Sequence, residues 1–256
     1  MALHCTFYGT SSAIPSLNRG FSCIGLSGEK ENTNVLMDCG DGSIRNLLKF
    51  GVEVENISTV LISHYHSDHV SGLTQVIETM GIRGKKSNLR VFGPPGLKEY
   101  FSTVEKITSV ASHRVFQIEF LELNAGDTIE FENFKTTAFA MDHTIPCLGY
   151  RLQYSSGKIL SYTGDSMPCP SMESLGKGAD LFIHEATYLD KDRGRAKEQK
   201  HSTVTEAASH AKAANVKKLA LTHVSDDFET PENMSKEATK VFKNVLIAHD
   251  GLAIEV

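Results

Sequence analysis

The segment Leu61-Ile62-Ser63-His64-Tyr65-His66-Ser67-Asp68-His69-Val70-Ser71-Gly72 places three histidines and one aspartate within six positions. With the preceding Val60, it opens on a short apolar run of the kind found in buried strands. Beyond Gly72, apolar residues recur with the spacing of an amphipathic helix. The four polar side chains are therefore predicted to lie on a loop that joins a strand to a helix.

The order of these four side chains has a chemical consequence. His64 and His66 are two positions apart, and in an extended backbone they point to the same side and can bind one cation. Asp68 and His69 are displaced along the turn and face a second position. Imidazole and carboxylate together suit zinc, with iron and manganese as alternatives. With 11 histidines in 256 residues, chance is a poor explanation for this group.

Composition limits the classes of protein to consider. The chain is 40% hydrophobic and 22% charged, which is ordinary for a soluble globular protein with a sizeable core. Its formal net charge of -5 excludes a global basic field for gripping nucleic acid, although a local basic patch remains compatible with it. The N-terminal residues show no signal peptide, and no apolar run is long enough to span a membrane.

The five cysteines indicate a reducing compartment. Their number is odd and no C-x-x-C pair occurs, so they form neither a disulfide framework nor a cysteine zinc site. Unpaired thiols of this kind are typical of the cytosol. We therefore expect a cytoplasmic protein with no membrane partner.

Both ends of the chain mix strand and helix signals around a middle that is rich in strands. The apolar runs Leu181–Ile183 and Leu219–Leu221 fit buried strands, whereas Thr203–Ala214 and Pro231–Phe242 have helical patterns. This arrangement predicts an α/β (α+β) fold with two packed mixed sheets and helices outside. Because no linker or low-complexity stretch occurs, residues 1–256 are predicted to form one domain.

Three further polar residues directly follow predicted strands, where loops carry functional side chains. They are His143, Asp165 and His223. Gly164 precedes Asp165 and permits a close approach of the backbone. Each residue alone has an ordinary explanation as a turn or surface residue, but their order after the His64–His69 cluster favours a common site.

That order resembles the metallo-β-lactamase superfamily of dinuclear hydrolases. The resemblance runs from the first third of the chain to near its end and implies an αββα four-layer sandwich with two metal ions at one edge. It implies that His64, His66 and His143 hold one zinc ion, that Asp68, His69 and His223 hold the other, and that Asp165 bridges them. It also implies that Asp68 orients the attacking water.

Further motifs narrow the resemblance to ribonuclease Z-like enzymes, which trim the 3′ ends of precursor tRNA. The matching segments are Gly9-Thr10 with Pro15 and Arg19, Leu36–Gly42, Gly93–Gly96, Gly149-Tyr150, His184–Thr187 and His201–Thr203. By this resemblance Glu185 orients His201, and His201 contacts the scissile phosphate or protonates the leaving oxygen. His201 is expected to do so near its ordinary pKa of about 6.5. A homodimer is also implied.

The substrate-facing residues are predicted from charge and position. The segment Lys191–Lys200 contains Lys191, Arg193 and Arg195 and precedes His201, which makes it either a phosphate clamp or a solvated face. Arg19 is a weaker candidate for a phosphate contact. Ser202 and Thr203 could donate hydrogen bonds to phosphate or cap the following helix, and capping is the first expectation.

One departure from ribonuclease Z bears on the substrate. The long arm that grips tRNA in that family normally lies between the residues matching His143 and Asp165, and this chain has no room for it there. The leading hypothesis is tRNA 3′ trailer removal, because Glu185, His201 and the Pro15 and Arg19 signature match ribonuclease Z. The first alternative is hydrolysis of a cyclic or other small nucleotide, which the missing arm and the net charge of -5 favour. Hydrolysis of a lactone, thioester or β-lactam would leave His201 without a task. A metal-binding scaffold without activity would be expected to lack a ligand.

Overall fold

Two seven-stranded sheets form the centre of the computed structural model, which describes residues 3–28, 34–108, 115–226 and 230–256. The strands of the first sheet are β1 (His4–Gly9), β2 (Cys23–Ser27), β3 (Val35–Met37), β4 (Thr59–Leu61), β5 (Leu89–Gly93), β6 (Ile118–Glu122) and β14 (Ala253–Glu255). Their order is β14-β1-β2-β3-β4-β5-β6. Strands β3 to β6 run parallel, and the pairs on the other side are antiparallel.

The second sheet has the order β13-β12-β11-β10-β9-β8-β7. Its strands are β7 (Thr128–Glu130), β8 (Phe134–Met141), β9 (Cys147–Tyr154), β10 (Ile159–Tyr162), β11 (Leu181–Glu185), β12 (Leu219–Thr222) and β13 (Val245–Ile247). Strands β10 to β13 run parallel, whereas β7 to β10 are antiparallel. Both sheets are therefore mixed.

Helices cover the outer faces of both sheets. The first half of the chain contains α1 (Ser43–Lys49), α2 (Ser67–Val70), α3 (Leu73–Ile82) and α4 (Leu97–Thr108). The second half contains α5 (Ser171–Gly176), α6 (Arg193–Glu198), α7 (Val204–Ala213) and α8 (Pro231–Val241). Buried apolar residues of α3 and α4 pack on the first sheet, and those of α5, α7 and α8 pack on the second.

The apolar run before the histidines shows how the sequence specifies these layers. Leu61 points into the core between the sheets, while Val60 and Ile62 point into the core beneath the helices. A parallel strand covered on both faces needs such a continuous apolar run. The predicted αββα sandwich of two mixed sheets is thus confirmed. Among the described residues, no helix combines the length and apolar character needed to cross a membrane.

Two glycines bring the turn after β3 against the histidine loop. A Cβ atom on Gly72 would lie 2.0 Å from the carbonyl oxygen of Gly40, and one on Gly40 would lie 2.2 Å from that of Asp68. The backbone N–H of Cys39 donates to the carbonyl of His69 at 2.7 Å, and that of Gly72 donates to Cys39 at 2.9 Å. This contact fixes the position of α2, which carries Asp68 and His69.

We expect Gly72→Ala to destabilise the protein, because its methyl group overlaps backbone that cannot move away. Overpacking of this kind costs about 1–3 kcal/mol, which corresponds to several degrees in Tm. Differential scanning calorimetry measures the change. Gly194→Ala is the matched control, since a Cβ atom on Gly194 in α6 meets nothing within 4 Å. An equal Tm for both variants would contradict the role given to this contact.

Candidate metal centre and active site

The predicted site residues meet at one edge of the sandwich, where strands of both sheets end. His64 and His66 follow β4, and Asp68 and His69 lie on α2. In the second sheet the site residues lie at or just beyond strand ends: His143 after β8, Asp165 after β10, Glu185 at the end of β11 and His223 after β12. Chain segments far apart in sequence therefore build one site.

The seven predicted metal ligands form two groups that share Asp165. His64, His66, His143 and Asp165 form the first, and Asp68, His69, Asp165 and His223 form the second. Within each group the candidate ligand atoms all lie within 4.8 Å of one another. The structure therefore groups these residues as the resemblance implies.

Four imidazole nitrogens, from three separate parts of the chain, surround one oxygen of Asp165. The Nε2 atoms of His69 and His223 both lie 3.3 Å from Asp165 Oδ2, and those of His64 and His143 lie at 3.7 Å and 3.9 Å. Asp165 is 2% exposed, and its other oxygen, Oδ1, is buried without a hydrogen-bond partner. A buried carboxylate oxygen without a partner needs a cation or a donor.

Hydrogen bonds on the far side of each ring orient two of these histidines. His143 Nδ1 is 3.0 Å from the carbonyl oxygen of Lys200, and His69 Nδ1 is 2.7 Å from Asp38 Oδ2. Carbonyl and carboxylate oxygens cannot donate, so both Nδ1 atoms carry the proton. The lone pair of each Nε2 atom then faces the site, which is the tautomer a metal ligand requires.

The other two histidines are held in the same way by hydroxyl groups. Ser63 Oγ donates to Asp38 and so accepts from His64 Nδ1 at 2.9 Å. Thr187 Oγ1 donates to Glu185 and so accepts from His223 Nδ1 at 2.8 Å. Both imidazoles therefore also present an Nε2 lone pair to the site.

This donor set fits divalent metal ions. Burial, reinforced by the neighbouring imidazoles, holds the pKa of His64 well below its usual range. Despite burial, Asp165 and Asp38 raise the pKa of His69 well above its usual range, so these two carboxylates favour a cation at this point of the site. Neutral imidazoles combined with carboxylates in a buried site are the ligands of a divalent metal centre.

Beside the second group, Glu185 forms a hub of hydrogen bonds. Its Oε1 atom lies 2.9 Å from His201 Nδ1 and accepts from the backbone N–H groups of Ser166 and Ser202. Glu185 is 1% exposed, so its negative charge is stabilised by these donors, by the backbone N–H and hydroxyl of Thr187 on its other oxygen, and by nearby cations. Although burial opposes it, Glu185 raises the pKa of His201 to about 9, and the expectation of an ordinary pKa was wrong.

Lys200 couples His201 to the metal ligands. Its backbone has a φ of 55°, a conformation that favours glycine, and this turns its carbonyl toward His143. Its ammonium group lies 2.8 Å from Asp142, the residue before His143. The segment carrying His201 is thus tied to the His143 loop by both backbone and side chain.

Arg19 was predicted to contact phosphate, but the structure shows it bound to partners within the protein. Arg19 is 5% exposed, and its guanidinium donates to Asp226, Thr10 and the carbonyl of Ala248. These bonds brace the segment that follows His223, so Arg19 as a substrate-binding residue was a wrong prediction. Its charge is used inside the fold.

The basic segment before His201 also has protein partners. Arg193 pairs with Asp190 and with Glu206, and the guanidinium of Arg195 lies 5.5 Å from the centre of the Tyr188 ring. Lys191 likewise has an interaction within the protein. The segment forms a short 3₁₀ turn (Asp190–Asp192) and α6. These basic side chains therefore pair with other residues of the protein and do not form an unpaired clamp for phosphate.

The side chains of Ser202 and Thr203 both form hydrogen bonds within the fold. Ser202 Oγ donates to the carbonyl of Ser166 at 2.7 Å. Thr203 is the N-cap of α7 and forms a capping box with Glu206, so the expectation that it caps this helix is confirmed. Neither side chain is free for phosphate.

The sequence predicted no role for four residues that support the ligands, one of which, Ser63, is the partner of His64 described above. Asp38 and Tyr162 hold His69, since Asp38 accepts from Tyr162 at 2.6 Å, and Thr187 links Glu185 to His223. For Asp38 the sequence did contain a signal, since it lies in the segment Leu36–Gly42 that matches ribonuclease Z, but that match assigned it no function. The partners of Tyr162 and Thr187 depend on tertiary packing and left no local pattern.

Comparison with known proteins gives a consistent result. A family model described as the beta-lactamase superfamily domain matches residues 33–224. A ribonuclease Z from Gemmatimonas aurantiaca is 31% identical, with the alignment covering 100% of this chain and 96% of the relative. A ribonuclease Z from Methanosarcina acetivorans is 29% identical over 99% of this chain and 98% of the relative.

Solved structures of similar shape include two of comparable extent. The metallo-beta-lactamase fold protein YhfI from Bacillus subtilis has a TM-score of 0.85 at 25% identity, covering 100% of both chains. The short form of human tRNase Z has a TM-score of 0.83 at 28% identity, covering 98% of both chains.

The alignment with the Methanosarcina relative spans 303 positions against 256 residues here, so that relative contains insertions that this chain lacks.

We expect Asp38→Asn to weaken metal binding by about 10- to 100-fold, because it removes the charge that orients His69. Asparagine keeps the size of the side chain and tolerates the φ of 58° at this position. Titration of the metal-free protein with Co²⁺ against a chelator measures the affinity. Asp41→Asn, an exposed acid in the same turn, is the control and should bind as the unaltered protein does. Equal affinities for both variants would refute the orienting role.

We expect Glu185→Gln to move the alkaline limb of the pH–rate profile to lower pH. In the proton-donating role that the resemblance implies, His201 must be protonated, and Glu185 raises its pKa to about 9, so activity should persist to about that pH and fall above it. Without the carboxylate, the proton leaves at lower pH and the limb shifts accordingly. Rates on a chromogenic phosphodiester between pH 6 and 10 measure it. An unmoved limb in the variant would show that another group sets it.

Proposed function

Since this chain belongs to the beta-lactamase superfamily and, within it, to the ribonuclease Z family of metal-dependent hydrolases, we propose that it cuts precursor tRNA after the 3′ end of the mature sequence. The observation that carries the proposal is the Glu185–His201 pair beside two ligand groups that share Asp165. A β-lactamase or lactonase would leave that pair without a task.

Two zinc ions suit the two ligand groups, with manganese or iron as alternatives. His64, His66 and His143 would hold one ion, Asp68, His69 and His223 the other, and Asp165 would contact both. When bound, the ions polarise phosphoryl oxygens and lower the pKa of a bound water from about 15.7 to about 7.

Asp68 has the position and charge to orient the attacking water. Its Oδ2 atom lies 3.3 Å from His223 Nε2 and 3.6 Å from His69 Nε2. Burial opposes ionisation, but the neighbouring imidazoles of His223 and His69 keep the pKa of Asp68 well below its usual range. It therefore stays a carboxylate that can accept a hydrogen bond from water.

His201 supplies the proton that the leaving oxygen needs. Its Nδ1 atom is occupied by Glu185, so Nε2 is the atom that meets the substrate. Its ring lies 5.0 Å from that of His143 and 5.2 Å from that of His223, close to both ligand groups. With its pKa raised by Glu185, it is mostly protonated at neutral pH and acts as a general acid.

A small nucleotide diester is the second candidate substrate. Between His143 and Asp165 the chain forms only β9, a tight turn and β10, which leaves no arm at that place. The relatives named ribonuclease Z favour tRNA, and the absent insertion favours a smaller substrate. In either case we propose a cytoplasmic homodimer.

His201→Ala should lower turnover of a chromogenic phosphodiester by at least ~100-fold, the scale of acid–base assistance, with metal content unchanged. Asp165→Ala should instead lose metal, since it removes the ligand that both groups share. Metal content by inductively coupled plasma mass spectrometry, beside the rates, separates the two effects. Loss of metal in His201→Ala would make His201 a ligand, and full metal content in Asp165→Ala would refute the bridging role.

The substrate is tested with a precursor tRNA that carries a 3′ trailer, analysed on a sequencing gel. We expect one cut next to the discriminator base by the zinc-loaded protein. The control is Asp68→Asn, which should abolish the cut. Hydrolysis of a small diester without any cut of the precursor would assign the same chemistry to the second candidate.

A further inference from the structure

Six lysines lie at the end of the second sheet that is opposite the metal centre. The metal-centre residues follow the carboxyl ends of β10, β11 and β12, whereas these lysines precede the strands or end the helices that lead into them. We call this group the lysine pole. Its members are Lys177, Lys212, Lys217, Lys218, Lys240 and Lys243. All are exposed except Lys218, which is partly buried.

Backbone contacts show that the lysine pole is one continuous surface. The N–H of Lys217 donates to the carbonyl of Ala179 at 2.8 Å, and the side chain of Asn244 donates to the carbonyl of Lys217 at 2.6 Å. The N–H of Gly178 donates to the carbonyl of Ala214 at 2.8 Å, which joins the Lys177 loop to the end of α7. The segments that precede β11, β12 and β13 therefore lie side by side.

The lysine pole carries an excess of positive charge on a protein whose net charge is -5. Asp180 pairs with Lys217 at 2.7 Å and lies 3.9 Å from Lys158, a further cation. The other acids on these elements are Glu173 on α5, Glu206 on α7, and Glu232 and Glu237 on α8; Glu206 and Glu232 lie in the first turns of their helices, away from the pole. Lysines in the last turns of α7 and α8 are favoured there by the helix dipole, but those in the loops have no such reason to cluster.

We propose that the lysine pole binds the phosphate backbone of a double-helical part of the RNA substrate, an inference that rests on the proposed function. Helix α7 connects the two regions: it begins at Val204, three residues after His201, and ends at Ala213 beside Lys212. Its length is about 15 Å, so an RNA stem whose end enters the metal centre can lie along the outer helices and reach the pole.

The charge along this path is compatible with RNA. Near the metal centre, Glu206 on α7 is paired with Arg193 at 3.2 Å, which reduces its repulsion of phosphate. At the far end the lysines contact phosphates without reading bases, as backbone binding requires. The pole would thus do the work of an arm that this chain lacks between His143 and Asp165.

The experiment compares two triple charge reversals. The pole variant is K212E/K240E/K243E, which spares Lys217 because its partner Asp180 also accepts from the backbone of Ile159. The control variant is K49E/K86E/K106E, three exposed lysines elsewhere with the same change in net charge. The readouts are binding of the precursor tRNA by fluorescence anisotropy at several salt concentrations, and KM and kcat on that RNA and on a chromogenic diester.

We expect the pole variant to weaken tRNA binding and raise its KM by at least 10-fold, with a shallower dependence on salt. Its kcat on the chromogenic diester should be unchanged, and the control variant should change tRNA binding by less than about 2-fold. Equal effects of both variants on tRNA binding would overturn the proposal, as would wild-type protein that does not bind the RNA. Wild-type protein that binds the precursor without cutting it would refute the proposed function and leave the pole supported.

Discussion

Four imidazole nitrogens that converge on one buried carboxylate are the feature on which the rest of the structure depends. Each lone pair is fixed by a hydrogen bond on the other side of its ring, to Lys200, Asp38, Ser63 or Thr187. Nitrogen lone pairs and carboxylate oxygens repel each other and lose hydration in a buried site. Divalent cations turn this cost into stabilisation, so folding and metal binding are coupled.

Backbone strain is concentrated around the same point. Among the described residues, four other than glycine have positive φ, and three of them support the site: Asp38, Lys200 and His223. Gly164 is a fourth residue with positive φ at the site. No larger residue fits there, because a Cβ atom on Gly164 would lie 2.7 Å from Cβ of Ser63. Conformations of this kind persist only where surrounding contacts impose them. The two packed sheets provide those contacts, and they also position Asp165 at the point where both ligand groups meet.

The sequence predicted the ligands well because each carries a local signal. The His64–His69 cluster is contiguous, and His143, Asp165 and His223 each follow an apolar run that becomes a strand. Elements with long or periodic patterns, such as α7 and α8, were predicted within a residue or two of their bounds. The six-residue helices α5 and α6 were missed, since so few residues show no clear period.

What failed were predictions about the partners of charged groups. Arg19 has the charge to bind phosphate, but only the fold brings Asp226 and the carbonyl of Ala248 to it. For His201 the partner Glu185 was expected, but the sequence did not show that the buried charge of Glu185 would raise the pKa of His201 to about 9. Both errors have one cause: the environment of a charge is set by residues far away in sequence.

The proposed function requires two metal ions that share Asp165. The direct measurement is an anomalous difference map, collected at the zinc edge, from crystals of the zinc-loaded protein. We expect two peaks, one among His64, His66 and His143, one among Asp68, His69 and His223, and both in contact with Asp165. A single peak, or a peak bound by Glu185 and His201, would contradict the account.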